Sequence, residues 1–165
     1  MLRVLLAQLF FVAAFARDRL CIGGLHALER GVHRRLHRVG GGRVRTQVGR
    51  IVQRALHDIW EYTATAWLVS DYLLMPDHLH LFCAPRDLKF TIERWMGFWK
   101  DRLAKSLPDA GKFQAGGFHH RMRGGESYAQ KWQYVRENPV RDKLVERPED
   151  WPYFGRVHEI RWSGD

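Results

Sequence analysis

The chain has 165 residues, enough for one domain with its own core, and its 45% hydrophobic and 27% charged residues exclude a disordered or collagen-like chain. Cys21 and Cys83 lie far apart with no CxxC, which excludes a disulfide scaffold or a four-thiolate zinc site, and no apolar run reaches the roughly 18 residues of a membrane-spanning helix. With 27 basic and 18 acidic residues the net charge is +9, which points to a polyanionic partner.

That charge is uneven. Residues 1–50 hold ten Arg, no Lys and two acidic residues, whereas residues 51–165 are nearly balanced, with 17 basic and 16 acidic. Residues 1–47 therefore form an atypical N-terminal segment with three readings. Met1-Leu2-Arg3, the apolar run Val4 to Phe15 and Ala14-Phe15-Ala16 have the layout of a secretory leader. The same apolar run can serve as a buried helix or strand. The Arg-only stretch that follows, with His26, His33, His37 and Gly40-Gly41-Gly42, resembles the product of a shifted frame or misplaced start.

Regular patterning begins at Val48. Val48, Ile51, Val52, Leu56 and Ile59 recur at helical spacing, which predicts an amphipathic helix ending near Tyr62. Ala66 to Met75 reads as a buried strand, Pro76-Asp77 as a turn, and His78 to Cys83 as the returning strand of a tight hairpin. A second helix is expected over 88–107, with Phe90, Ile92, Trp95, Phe98, Trp99 and Leu103 on its apolar side. After a loop-rich stretch, a third helix is predicted from its N-cap Ser127 to Asn138, where Pro139 ends it. The tail around Trp151-Pro152-Tyr153 is expected to pack as an irregular strap. The pattern is α+β: a small antiparallel sheet with helices packed on it.

His78-Leu79-His80 carries the first chemical signal. On a strand His78, His80 and Phe82 share one face, and Leu79, Leu81 and Cys83 the other. Two imidazoles about 7 Å apart along one face can converge on one cation. With nine His in the chain, this pair alone is weak.

The third helix sharpens it. Tyr128, Trp132 and Val135 fall within about 60° of arc and form a core stripe. Tyr134 and Asn138 lie about 40° apart, one turn from each other and clear of that stripe, with Lys131 beside them. A phenol is a weak nucleophile at neutral pH. A divalent cation held by His78, His80 and the Asn138 amide oxygen would polarise a phosphodiester and offset transition-state charge. Attack by Tyr134 then leaves a phosphotyrosine link and a free hydroxyl, a reversible exchange.

These residues resemble a known family. MPDHLHLF at 75–82 with YVRENPVRDKLV at 134–145 is similar to the single-tyrosine HUH transposases, and within them to the REP-associated tyrosine transposases. The resemblance covers roughly residues 48–155, leaving 156–165 as a tail. It places the HUH pair on His78 and His80, the nucleophile on Tyr134 and the third ligand on Asn138. It implies a ferredoxin-like fold, magnesium or manganese as cofactor, and cleavage and strand transfer on single-stranded DNA beside a hairpin. It further implies a cytoplasmic protein working as a monomer. Phe118 and Arg123 before the helix, and Lys100 on the second helix, agree with it.

Three departures stand out. The family's first strand is not recognisable in residues 1–47, where Val4 to Val12 would have to replace it. His119 follows Phe118 where an acidic residue is usual, and Asp142-Lys143 replaces a small pair.

Between Lys112 and Lys143 there are seven basic and three acidic residues. Arg121, Arg123, Lys131, Arg136 and Arg141 are the expected phosphate contacts, with Lys100 facing DNA and Phe118 or Trp132 stacking on bases. Trp95 and Trp99 are expected in the core. The alternatives are a catalytically inactive hairpin-binding relic and, third, a secreted metalloprotein.

Overall fold

The two strands flanking Pro76-Asp77 form the expected hairpin, β2 (Trp67–Leu74) and β3 (His78–Pro85), closed by a 2.7 Å bond from the Met75 N–H to the His78 carbonyl. The computed structural model describes residues 9–14, 41–108, 116–122 and 127–160. Arg123, the Arg-rich stretch over 15–40 and the ends of the chain lie outside the described residues.

Leu9–Ala14 forms β1, antiparallel to β3, with Val12 opposite His80 and Ala14 opposite His78. The strand β4 (Phe118–Arg121) pairs with the other edge of β1. The tail does more than strap the core. Trp151 Nε1 donates to the Leu74 carbonyl at 3.0 Å, and the chain then enters β5 (Phe154–Arg156), antiparallel to β2. The sheet order is β4-β1-β3-β2-β5. With helices after β1 and β3, its first four strands have the ferredoxin-like α+β arrangement, and β5 extends one edge.

The helix α1 (Gly41–Asp58) begins ahead of the apolar period at Val48 and ends in a widened π turn, Ile59–Thr63, that buries Ile59 and Trp60. The second helix, α2 (Ile92–Ser106), starts later than the pattern suggested. Asp87 accepts the Lys89 N–H at 3.0 Å in a local turn, and Thr91 caps the helix by accepting the Arg94 N–H.

The third helix is divided. Ser127 caps α3 (Tyr128–Arg136) as expected, but the helix ends before Asn138, and Asn138–Arg141 forms a separate turn, α4. Proline causes the break: Pro139 has no N–H to offer the Val135 carbonyl. The Asn138 side chain donates to that carbonyl instead, at 2.9 Å.

Each face of the sheet has its own core. Val69, Tyr72, Leu74, Leu79, Leu81 and Cys83 pack under α1 and α2 with Trp60, Trp95, Trp99 and Leu103. Leu73, Met75 and Phe82 pack on the opposite face with Tyr128 and Val135 of α3. Trp95 and Trp99 are thus core residues, as expected, while Phe90 and Phe98 are more exposed than the helical stripe implied. No helix among the described residues is long and apolar enough to cross a membrane.

Candidate functional site

Strand alternation places His78 and His80 with Phe82 on the α3 face of β3. Their Nε2 atoms are 2.9 Å apart, and the rings meet edge to face. The turn that begins β3 supplies a further group: Asp77 Oδ1 lies 2.6 Å from His78 Nδ1. A carboxylate there keeps the proton on Nδ1 and turns the His78 Nε2 lone pair towards His80. Burial first, then the charges at His78 and Arg141, push His80 down to about 3, so its ring is neutral at pH 7.

The break between α3 and α4 brings Asn138 to this pair. Its Nδ2 is 3.1 Å from His80 Nε2, and its Oδ1 accepts from Arg141 Nη2 at 2.8 Å. Arg141 also donates to the Tyr134 carbonyl, and its guanidinium carbon lies 3.9 Å from the centre of the Tyr134 ring. Tyr134 is 62% exposed, clear of the core stripe. A continuous run of contacts therefore joins the exposed phenol to the histidines: Tyr134, Arg141, Asn138, His80, His78, Asp77.

Donors on adjacent corners of an octahedron about 2.1 Å from a small cation stand about 3.0 Å apart. The 2.9 Å and 3.1 Å separations around His80 Nε2 match that spacing. Two ring nitrogens this close need a shared proton or a cation between them, so the imidazole pair fits a metal. Asn138 has the right position, but its nitrogen faces the pair. Imidazole donors suit manganese and its neighbours better than magnesium.

Tyr128 is buried, as the core stripe predicted, and its hydroxyl donates to Asp71. Burial, then this bond, raises its pKa well above the ordinary tyrosine range. Asp71 in turn accepts two bonds from Arg156, at 2.9 Å each. The register of β2 slips between Val69 and Tyr72, and this bulge lets both Ser70 and Asp71 reach Tyr128. The network fastens α3 to β2 and β5.

The expected DNA contacts divide. Phe118 (65% exposed) and Arg121 lie on the edge strand β4, and Arg141 is exposed beside Tyr134. Lys100, expected to face DNA, is buried, and its amine donates to the Gly116 carbonyl. Its aliphatic stem continues the apolar side of α2, and burial lowers its pKa to about 8. Lys131 is half-buried. Arg136 is half-buried over the Phe154 ring at 4.6 Å, and Trp132 packs on Phe82 at 6.0 Å. At the departure noted above, His119 meets Glu93 at 3.1 Å. A cavity of about 770 Å³ opens between Thr63–Ala66, Arg86, Phe90 and Phe98, at the end of β3 away from the histidines.

No family model and no curated protein matches the chain. One solved structure is similar. It is a REP-associated tyrosine transposase bound to a REP hairpin, with a TM-score of 0.61 and 14% identity over 96% of this chain and 86% of that one. At that identity the likeness is one of fold.

Two contributors to the site were missed in the sequence. Asp77 stands next to the HxH motif and was read only as a turn residue, although a carboxylate preceding a histidine was the available signal. Asp71 had no signal, because its partner Arg156 comes from β5, a strand not expected at all.

Proposed function

We propose that this protein is a metal-dependent tyrosine endonuclease and strand transferase of the HUH transposase type. Its substrate is single-stranded DNA beside a hairpin. The observation that carries the reading is the unbroken run of contacts from the exposed Tyr134 ring to the His78–His80 pair. The fold shared with a transposase solved on a DNA hairpin supports it.

Tyr134 supplies the attacking oxygen. Its bond to phosphorus replaces the bond to the neighbouring nucleotide oxygen, which takes up a proton and leaves as a hydroxyl; the phenolic proton goes to solvent. The phosphotyrosine keeps the energy of the phosphodiester, so the same residue can return the strand to a hydroxyl end. His78, His80 and Asn138 are the metal-holding groups, and Asp77 fixes the His78 tautomer. When bound, a manganese or magnesium ion supplies Lewis-acid polarisation of the phosphate and offsets its charge in the transition state. Phe118 and Arg121, exposed on β4, are placed to take a base and a phosphate.

The test uses end-labelled single-stranded hairpin DNA with manganese. A labelled protein band should survive denaturation in the wild type and vanish in Tyr134→Phe. The ring is exposed, so that substitution should change stability by less than about 0.5 kcal/mol. An adduct unaffected by Tyr134→Phe would move the nucleophile elsewhere and overturn the reading.

A further inference from the structure

The orientation of the Asn138 amide is fixed by its neighbours. Nδ2 lies 2.9 Å from the Val135 carbonyl, which can only accept, and Oδ1 lies 2.8 Å from Arg141, which can only donate. Turning the amide over in place would set oxygen against oxygen and amide N–H against guanidinium. The atom facing His80 is therefore a nitrogen with no lone pair to give, and the oxygen that could hold a cation is occupied by Arg141.

Arg141 itself is exposed and held by neutral partners: the Tyr134 carbonyl, the Asn138 oxygen and the Tyr134 ring. A phosphate is a stronger partner for a guanidinium than a carbonyl, because its hydrogen bonds are charge-assisted and its geometry suits the planar fork.

We propose that Arg141 is a positioning switch that withholds the Asn138 carbonyl oxygen from the metal until a DNA phosphate draws Arg141 away. Release of Arg141 lets the amide turn its oxygen towards His78 and His80, and uncovers the face of Tyr134 that the guanidinium covers. Cation and DNA then bind cooperatively, and each tightens the other by the same factor. The inference rests on the metal site proposed above and adds its regulation.

The test is Mn²⁺ binding, read from the free Mn²⁺ signal by electron paramagnetic resonance. It uses the full chain in a Tyr134→Phe background, so that no cleavage alters the DNA. Wild-type Arg141, Arg141→Ala, Asn138→Ala and the double variant are each titrated alone and with a saturating single-stranded hairpin oligonucleotide. Without DNA, Arg141→Ala should bind Mn²⁺ about tenfold more tightly than the parent, and enhancement by DNA should shrink correspondingly. Removing a nearby positive charge also favours a cation, and the double variant separates that effect. On an Asn138→Ala background, Arg141→Ala should gain no more than about threefold.

Equal or weaker binding by Arg141→Ala, or the same gain with and without Asn138, overturns the switch. Retained Mn²⁺ binding that His80→Ala abolishes, with Arg141→Ala silent, would remove the switch and leave the metal site standing. Absence of Mn²⁺ binding with and without DNA would remove both. Arg141 is a surface residue, so its truncation should leave the thermal melt unchanged, and Arg141→Lys gives a second, charge-preserving variant.

Discussion

The two faces of the sheet are built from different materials. Under α1 and α2 the contacts are apolar and aromatic: Trp60 packs edge-on against Tyr72 and Trp99, with ring centres 5.3 Å and 5.6 Å apart. Under α3 a smaller apolar cluster sits among polar groups, with Ser70, Asp71, Tyr128 and Arg156 towards one side and the His78–Asn138–Arg141 contacts towards the other. Non-directional burial on one face stabilises the fold, which lets the other hold groups that must keep hydrogen-bond partners and open access. The comparison gives a way to separate stability from chemistry by substitution.

The largest effect is expected on the apolar face. Trp99→Ala should cost about 3–5 kcal/mol in urea unfolding, since it removes a fully buried indole from the aromatic group. A cost below about 1 kcal/mol would mean that this face does not dominate stability.

On the other face, Asp71→Ala should cost about 2 kcal/mol, less than a fully buried pair would because Arg156 is half exposed. The loss should be local. Hydrogen exchange should quicken over 128–136 while 92–106 stays protected, and uniform quickening would contradict two separable faces.

Lys100 tests the exception on the apolar side. Its pKa is about 8 in the folded chain against an ordinary 10.5. Between those values the unfolded chain binds more protons, so stability rises with pH from about 8 to 10.5, and the burden of the buried charge is fully present below 8. Lys100→Met should therefore be about 2 kcal/mol more stable at pH 7 and should flatten that rise, with hairpin affinity unchanged. Loss of DNA affinity in this variant would restore Lys100 as a contact.

The smallest effect concerns the residue after α4. Lys143 has φ of 57°, the left-handed region that favours glycine. Lys143→Gly should raise stability by about 1 kcal/mol, read as a higher urea midpoint. The small pair usual at this position in the resembled family has a physical reason here.

Much of the site was legible because its signals are local. Period-two alternation put His78 and His80 on one face whatever β3 paired with, and the Ser127 cap and the stripe of Tyr128, Trp132 and Val135 fixed the start and buried side of α3. Local patterns failed where a neighbour decided. The burial of Lys100 depends on the Gly116 carbonyl, a loop contact. Arg136 and Trp132 read as exposed binding groups until Phe154 and Phe82 met them. Leu9–Ala14 carried too little pattern to distinguish a strand from a leader, and its position beside β3 is a matter of pairing.

The amino-acid order by itself determined which side chains share a strand face or a helical turn, because backbone geometry repeats every two or 3.6 residues. Folding alone decided which faces meet. Asn138 reaches His80 across 58 positions of chain, and Arg156 reaches Asp71 across 85. Those encounters follow from sheet order, a β-bulge and one proline break, and only packing in three dimensions brings them together.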